Sequence, residues 1–433
     1  MAGYFTGRTI DELAAELRSG AVTAAELAER ALESIDPGLN AFVVVDEAGA
    51  REAARQADAE LAAGADRGPL HGVPVAVKDI IDVAGLPTGM GSAHFAGNIA
   101  ENDAAIVRRL RDAGAVIMGK TTTHEFAYGA SGDIAVNGPA RNPYDRERIT
   151  GGSSAGSAAA VASGAVPLAL GTDTGGSVRI PAALCGIAGF KPAYGALPLD
   201  GIFPLAPSLD HPGPLAATAA DCALAYRALG GPWPDEPPAS VPRVPRVARV
   251  VTDLVDPEVA AVIGRFFADA PEVPVDVAGI NETFAAMQMY EVAGVHRERL
   301  ARAPELYHPE LRGRVELTMA VTREAYEAAF RDRDRLAAEI AALFEEYDVL
   351  AMPTVPVPAP RIGERDLPLG PALFLLRSLT SPWNLLGLPA LSIPAGTVPS
   401  GLPVGLQLIT RRDADPLLFT TARTATPQTP GVG

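Results

Sequence analysis

Glycine, serine and alanine dominate residues 129–192, and this composition limits how the chain can fold. Within that stretch, residues 154–163 predict a short helix of small side chains, and residues 166–170 predict a buried strand. A helix that carries only small side chains can lie very close to a sheet. We therefore expect these two elements to pack together in the core of the protein.

The residues before this stretch predict two helices followed by a strand–helix–strand unit. Two capping boxes, which begin helices, pair Thr9 with Glu12 and Thr23 with Glu26. Strands are predicted at residues 73–78 and 115–118, with a helix over residues 103–113 between them. At 433 residues, the chain is long enough for two domains or for one large α/β domain.

The second half of the chain predicts a mainly helical region and then further strands. Loops rich in proline are expected at residues 230–246 and 353–371. An amphipathic run at residues 321–347 predicts a long helix, and we interpret residues 231–347 as a helical cap or insertion. The later strands are predicted at residues 349–352, 390–394 and 404–409. We expect these strands to rejoin the first sheet, and the polar tail after Thr410 to be frayed.

Charge and cysteine content argue against several classes of partner. The formal net charge of −16 argues against a surface for nucleic acid and against docking to an anionic membrane. The two cysteines, Cys185 and Cys222, are too few for a disulfide framework and lack metal-site spacing. We therefore expect a cytoplasmic protein without metal or cofactor. The helix face around Leu13 and Leu17 is a candidate surface for a homodimer.

Two serines among glycines, together with an upstream lysine, suggest the chemistry. Ser153 lies in the sequence Gly-Gly-Ser-Ser at residues 151–154, and Ser177 ends the sequence Gly-Thr-Asp-Thr-Gly-Gly-Ser. Lys78 ends the first predicted strand. A buried lysine can activate a serine once desolvation lowers the pKa of its amine. Glycines let backbone N–H groups approach a developing oxyanion, so the pattern favours acyl transfer on an amide.

The same segment resembles the signature of the amidase signature family. The matching positions are Gly151, Gly152, Ser153, Ser154, Gly156, Asp173, Gly175, Gly176, Ser177, Arg179 and Pro181. Further similar stretches lie at residues 70–74, 119–121, 142–143, 185–186, 191–192 and 402–407. The resemblance implies one large α/β domain whose mixed, largely parallel central sheet is flanked by helices, with a helical cap added. The implied parts are N-terminal helices (1–65), a signature core (66–230), the cap (231–347) and a C-terminal part returning to the core sheet (348–433).

The resemblance also implies a catalytic triad of two serines and a lysine. In it, Ser177 is the nucleophile, Ser153 is a bridging serine held by a cis peptide bond after Gly152, and Lys78 is the base. The oxyanion hole is implied to consist of the backbone N–H groups of Thr174, Gly175, Gly176 and Ser177.

Other residues are expected to bind substrate or to support the site. In the family, the stretch equivalent to residues 128–131 lines the acyl pocket, so Tyr128 and Gly129 are candidate substrate contacts. Supporting roles are expected for Ser154, Asp173 and Arg179. Asp173 is expected to orient the backbone or Arg179, and Arg179 to brace the glycine loop.

These residues predict an amidohydrolase that cleaves a small carboxylic amide through a serine acyl-enzyme and releases ammonia or an amine. One alternative is the glutaminase component of a tRNA-dependent amidotransferase. That subgroup usually reads Asp-Glu-Phe where residues 124–126 read His-Glu-Phe here, and it carries an acidic residue near the position of Arg377. Arg377 cannot pair with an ammonium group, but it can pair with a substrate carboxylate or face solvent. Arg377 and Arg179 together favour small acidic amides as substrates, and Arg377 favours a free-standing hydrolase over the glutaminase. The second alternative is a non-catalytic scaffold of the same fold.

Overall fold

An eleven-stranded sheet forms the centre of the protein. The computed structural model describes residues 2–233 and 244–425. The strands are β1 (Phe42–Val45), β2 (Pro74–Lys78), β3 (Val116–Thr121), β4 (Arg141–Asn142), β5 (Asp145–Ile149), β6 (Leu168–Asp173), β7 (Ala188–Lys191), β8 (His211–Ala216), β9 (Val247–Val251), β10 (Glu272–Pro274), β11 (Val349–Pro353), β12 (Asp366–Leu367), β13 (Gly370–Pro371), β14 (Ala390–Thr397) and β15 (Pro403–Ile409). The sheet order is β1-β3-β2-β6-β8-β7-β14-β15-β11-β9-β10; β4 with β5, and β12 with β13, form separate ribbons.

Helices cover the sheet and connect its strands. They are α1 (Ile10–Ser19), α2 (Ala24–Ser34), α3 (Glu47–Ala62), α4 (Ala105–Asp112), α5 (Ala155–Ala162), α6 (Arg179–Leu184), α7 (Ala219–Ala228), α8 (Pro257–Ile263), α9 (Val277–Arg302), α10 (Pro309–Thr318), α11 (Arg323–Glu346), α12 (Ala372–Ser378), α13 (Ser381–Leu385) and α14 (Asp415–Thr424). The chain forms a single domain around a mixed central sheet flanked by helices, as predicted.

Because β2, β3 and β6 run in the same direction, their carboxyl ends lie on the same side of the sheet, at the ends of the strands. These three strands pair parallel, with Val75 of β2 opposite Ile117 on one side and Leu168 on the other. A second parallel group, β11, β9 and β10, forms the far edge, and antiparallel pairs join the remaining neighbours. Parallel neighbours end on the same side, so residues at the ends of β2 and β6 lie next to each other.

The N-terminal helices begin at the predicted capping boxes. Thr9 Oγ1 accepts the Glu12 N–H at 3.2 Å, the Glu12 carboxylate accepts the Thr9 N–H at 2.9 Å, and α2 begins in the same way. Leu13 and Leu17 are buried in the core. The expectation that their face is free for a homodimer is therefore wrong, because the apolar stripe of α1 packs inside the domain.

The small-residue helix α5 makes backbone contact with its neighbours, as its composition predicts. The Gly156 N–H donates to the Thr122 carbonyl at 2.8 Å. A Cβ atom on Gly156 would lie 2.2 Å from the Ala41 carbonyl oxygen, closer than real Cβ contacts allow. The Ser157 hydroxyl donates to the Leu170 carbonyl of β6 at 2.9 Å. Only a helix of small residues fits this position.

Hydrophobic side chains pack on both faces of the sheet. Along β11, Val349 and Ala351 belong to one cluster of buried residues, whereas Leu350 and Met352 belong to another. Successive side chains point to opposite faces of a strand, so β11 lies between the two clusters. The first cluster includes the N-terminal helices, and the second includes Trp383 and the inner faces of α9 and α11.

The segment interpreted as a helical cap also adds strands to the sheet. Its helices are α8, α9, α10 and α11, but β9 and β10 extend the sheet beyond β11. β9 pairs parallel with β11, with Ala248 opposite Leu350. The segment is therefore joined to the core through backbone hydrogen bonds. Most of the loop predicted at residues 230–246 lies outside the described residues.

The tail after Thr410 is helical rather than frayed, as far as the structure describes it. α14 buries Leu417, Leu418 and Phe419 in the first cluster, and the Phe419 ring centre lies 4.9 Å from that of Phe190. These three adjacent apolar side chains attach the otherwise polar C-terminal segment to the core.

The loop predicted at residues 353–371 is mostly irregular but contains the β12–β13 ribbon. Within the described ranges, the helices lack the combination of length and apolar character that crossing a bilayer requires.

Candidate active site

Lys78 and Ser153 meet at the carboxyl edge of the parallel strands. Lys78 is the last residue of β2, Thr172 lies near the end of β6, and Ser153 lies two residues before the start of α5. Lys78 Nζ lies 2.7 Å from Ser153 Oγ and 2.8 Å from Thr172 Oγ1. The parallel pairing of β2 with β6 therefore holds the amine between two hydroxyl groups.

The environment of Lys78 favours an uncharged amine. Its side chain is completely buried, and no carboxylate of the described residues forms a salt bridge with it. Burial lowers the pKa of Lys78 to about 7, while the carboxylates of Asp173 and Asp210 act in the opposite direction. An amine with this pKa is available as a proton acceptor at neutral pH.

Ser153 is held by its backbone on both sides. The peptide bond between Gly152 and Ser153 is cis, the form expected from the family resemblance. The Ser153 carbonyl accepts a hydrogen bond from the His124 N–H at 3.1 Å and another from the Thr123 hydroxyl at 3.2 Å. The backbone is thereby fixed while Oγ is directed at Lys78.

Ser177 lines a cavity of about 250 Å³, whereas Lys78 and Ser153 are fully buried and are not among the residues that line it. The Ser154 N–H donates to the Ser177 carbonyl at 3.2 Å, which ties the two serine segments together. Other predicted site residues on the cavity wall are Tyr128, Gly129, Thr174, Gly175 and Arg377. A molecule in the cavity can therefore reach Ser177 directly.

The glycine loop departs from the sequence prediction at one backbone donor. The Gly176 N–H donates to Asp173 Oδ1 at 2.8 Å, so it is not free to bind an oxyanion in this structure. Within the described residues, the structure assigns no acceptor to the N–H of Gly175 or of Ser177. A Cβ atom on Gly175 would lie 2.9 Å from Phe284 Cζ, so a larger residue at this position would require the ring to shift.

Asp173 and Arg179 support the glycine loop from the buried side. They form an ion pair at 2.9 Å, and both side chains are fully buried. Arg179 also donates to Asn384 Oδ1 and Gln407 Oε1, each at 2.6 Å. Burial would raise the pKa of Asp173, but the Arg179 guanidinium holds it well below its ordinary value. Arg179 does not line the cavity. The expectation that it binds an acidic substrate together with Arg377 is therefore wrong.

Ser154 and Asp210 complete the support of the loop. The Ser154 hydroxyl donates to the Thr172 carbonyl at 3.2 Å, a position consistent with its expected supporting role. Asp210, which sequence reasoning missed, accepts a hydrogen bond from the Thr174 hydroxyl at 2.5 Å. Burial raises the pKa of Asp210 to about 6. No local pattern identifies Asp210, whereas Thr172 lies inside the glycine-rich sequence and could have been noticed there.

His124 lies against Gly129 of the cavity wall and carries no charge at neutral pH. Its Nδ1 accepts the Gly132 N–H at 3.2 Å, and burial lowers its pKa to about 3. A Cβ atom on Gly129 would lie 2.0 Å from His124 Nε2, which explains the glycine at that position. Across the described ranges, no three His, Cys, Asp or Glu side chains are grouped so that they could hold a metal ion.

Two guanidinium groups face the cavity, from α10 and α12. Arg377 was expected from the sequence, but Arg314 was missed because nothing distinguishes it from the other arginines of its region. Arg314 Cζ lies 4.3 Å from the centre of the Tyr128 ring, and Arg377 Cζ lies 5.2 Å from that of Phe284. The Arg377 Nη1 is buried and has no hydrogen-bond partner among the described residues.

This chain is similar to known proteins in both sequence and structure. A family model described as Amidase matches residues 24–308 and 275–419. A protein of Acidothermus cellulolyticus, named as one of the subunits of glutamyl-tRNA(Gln) amidotransferase, is 39% identical over 95% of this chain and 92% of its own length. A protein of Pseudomonas putida named Amidase is 38% identical, over 92% of this chain and 91% of its own length. A crystal structure of an amidase superposes with a TM-score of 0.89 at 36% identity, covering 96% of this chain and 98% of the other.

Proposed function

This chain belongs to the amidase family, and on that premise we propose that it hydrolyses a small carboxylic amide with Ser177 as the nucleophile. The observation that carries the proposal is the contact of 2.7 Å between the buried Lys78 amine and Ser153 Oγ, in a segment that is tied to Ser177 by the hydrogen bond from the Ser154 N–H. Lys78 is the base, and Ser153 passes the proton from Ser177 to Lys78.

The reaction begins when neutral Lys78 takes the proton of Ser153 while Ser153 takes the proton of Ser177. Ser177 Oγ then bonds to the amide carbon, and the carbonyl oxygen becomes an oxyanion. As the oxygen re-forms its double bond, the C–N bond breaks and the proton held by Lys78 returns through Ser153 to the departing ammonia or amine. Ser153 and Lys78 then take a proton from water, which attacks the ester carbon; the bond to Ser177 Oγ breaks, the acid is released, and the proton returns from Lys78 through Ser153 to Ser177.

Backbone donors in the glycine loop stabilise the oxyanion. The N–H groups of Gly175 and Ser177 are available for this role, and the N–H of Thr174 is the third donor that we propose. Gly176 contributes indirectly, because its bond to Asp173 fixes the loop. Losing one such donor typically costs about 3–4 kcal/mol of transition-state stabilisation.

The nucleophile can be tested with a serine variant and a covalent probe. We expect Ser177→Ala to lower the rate of ammonia release from a panel of simple amides by roughly 10³-fold or more. We also expect a fluorophosphonate or sulfonyl fluoride probe to label the native protein but not this variant. Ser163→Ala, which removes a hydroxyl from the far end of α5, is the matched control and should retain both properties.

Near-native hydrolysis by Ser177→Ala would show that the nucleophile is assigned wrongly. A native protein that neither hydrolyses amides nor reacts with the probe would instead favour a non-catalytic scaffold.

The names of several relatives support a second candidate function, the production of ammonia within an amidotransferase complex. Those names also weaken the expectation that no nucleic acid is involved, because they refer to a glutamyl-tRNA. Against this candidate, Arg377 lies on the cavity wall, and the family resemblance implies an acidic residue near its position in that subgroup. We therefore place the free-standing amidase first.

Glutamine hydrolysis separates the two functions. The free-standing amidase should reach full activity alone and should hydrolyse glutamine poorly. Glutaminase activity that rises only after a partner protein is added would establish the second function. A cytoplasmic location, as expected from the cysteines, and the domain boundaries drawn from the sequence remain predictions.

A further inference from the structure

We propose that the cavity selects a small amide that carries a carboxylate and no ammonium group, and that Arg314 and Arg377 bind this carboxylate. Monoamides of short dicarboxylic acids belong to this class. The inference rests on the proposed function, since it names the substrate class of the same site.

The cavity wall is cationic. Its polar and charged lining residues include Arg314, Arg377 and Gln288, and among the described residues no Asp or Glu lines it. With a volume of about 250 Å³, it is smaller than most sites for drug-sized ligands and suits a small molecule. A ligand that enters this space meets two positive charges in the cavity that Ser177 also lines.

Arg377 has donor capacity that the protein does not use. Its buried Nη1 finds no hydrogen-bond acceptor among the described residues, and its guanidinium is placed against the Phe284 ring. Burial lowers the pKa of Arg377 to about 10, so the group is still charged at neutral pH. A partly buried charge with an unpaired buried nitrogen is costly, and an entering carboxylate would offset that cost with charge-assisted hydrogen bonds.

Arg314 forms no ion pair with a carboxylate of the described residues, although one lies in its neighbourhood. Glu310 acts on the charge of Arg314 but is held by Arg365, whose Nε lies 3.0 and 2.9 Å from the two Glu310 oxygens. Arg314 instead lies over the face of Tyr128. This arrangement fixes the guanidinium in place at the cavity and leaves it able to bind a ligand carboxylate.

The same charges exclude substrates with an amino group beside the carboxylate. An α-ammonium group in this cavity would find no acidic partner on the described wall and would be repelled by the guanidinium groups. The site therefore distinguishes glutamine from an otherwise identical amide that lacks the amino group.

Three amides of equal chain length test this selectivity: glutaric acid monoamide, L-glutamine and pentanamide. For the native protein, we expect kcat/KM for the monoamide to exceed that for each of the other two by roughly 10- to 100-fold, the range for a hydrogen bond to a charged group. Malonic and succinic acid monoamides, with their neutral counterparts, cover shorter chains. N-Acetylglycine and the neutral N-ethylacetamide test a carboxylate on the amine side of the scissile bond.

Variants identify the residues responsible. Arg377→Met should lower kcat/KM for the preferred acidic amide by roughly 10- to 100-fold and leave the neutral counterpart within a few-fold. Arg314→Gln should act in the same direction. Arg377→Asp should raise the ratio of glutamine to monoamide turnover, because it supplies an acid for the ammonium group. Arg323→Met, at an exposed position on α11, is the control and should change none of these ratios.

Ligand binding and covalent labelling test the inference without relying on catalytic turnover. Succinate or glutarate should raise the melting temperature of the native protein and of Ser177→Ala, but not that of Arg377→Met. Equal turnover of acidic and neutral amides by the native protein, or unchanged ratios in both cavity variants, would overturn the inference. In that case, continued labelling of Ser177 would show that the amidase function itself still stands.

Discussion

At the scale of single residues, the burial of Lys78 determines whether its amine can act as the base proposed for the site. A lysine on the surface is protonated at neutral pH and cannot accept a proton. Lys78 is completely buried, and its amine contacts two hydroxyl groups rather than a carboxylate. Its pKa of about 7 therefore follows mainly from desolvation, which disfavours the ammonium form.

This environment predicts how activity depends on pH. In the proposed relay Lys78 acts in its neutral form, and its pKa is about 7, so kcat/KM should be highest above pH 7 and fall about tenfold per pH unit well below it. Asp210→Asn is the informative control, since the Asp210 carboxylate raises the pKa of Lys78. Removing that charge should move the acidic limb to lower pH. A profile that stays flat down to about pH 5 in the native protein would contradict a lysine base.

At the scale of secondary structure elements, α5 shows how close packing constrains the sequence. Its Gly156 lies against the backbone of Ala41 and Thr122, where no Cβ atom fits. Gly294, in the middle of α9, has nothing within 4 Å of the equivalent position. Both glycines lie in helices, but a side chain has room only at position 294 and not at position 156.

Alanine substitutions at these two glycines should therefore change the free energy of unfolding in opposite directions. Gly156→Ala is expected to lower the free energy of unfolding by about 1–3 kcal/mol or more, since α5 must shift away from the sheet. Gly294→Ala should raise it by about 0.5–1 kcal/mol through helix propensity. Urea denaturation followed by far-UV circular dichroism measures both. Equal effects of the two changes would mean that α5 packs less closely than described.

Sequence periodicity identified most elements of the fold, and the family resemblance identified the residues around Ser177. What could not be predicted depends on distant packing. Whether the face of Leu13 is buried or exposed depends on what covers α1, and Arg314 lines the cavity only because α10 packs beside it. The Gly176 N–H was assigned to the oxyanion hole because the sequence does not show that Asp173 occupies it.

At the scale of the whole molecule, one sheet connects both halves of the chain. β11 carries Val349 and Ala351 into one cluster and Leu350 and Met352 into the other, so neither cluster can lose its sheet face alone. The strands β9 and β10 attach the helical segment to this same sheet. We infer that the two clusters unfold together.

The two tryptophans allow this to be measured. Trp233 packs against the first cluster and Trp383 is buried in the second. In Trp233→Phe and Trp383→Phe, the remaining tryptophan reports on one cluster each. Within each variant, fluorescence and far-UV circular dichroism should give the same denaturation midpoint, as a cooperative transition requires. Separate midpoints within one variant would show that the clusters are independent units.

The two cavity arginines come from α10 and α12, far along the chain from the segment that carries Lys78, Ser153 and Ser177. Under the proposed assignments, turnover and substrate preference are encoded in different stretches of the gene. A library that varies only positions 314 and 377 explores new amides while the reactive groups stay constant. Recombination between relatives at a crossover between these stretches would exchange substrate preference and leave the reactive groups intact.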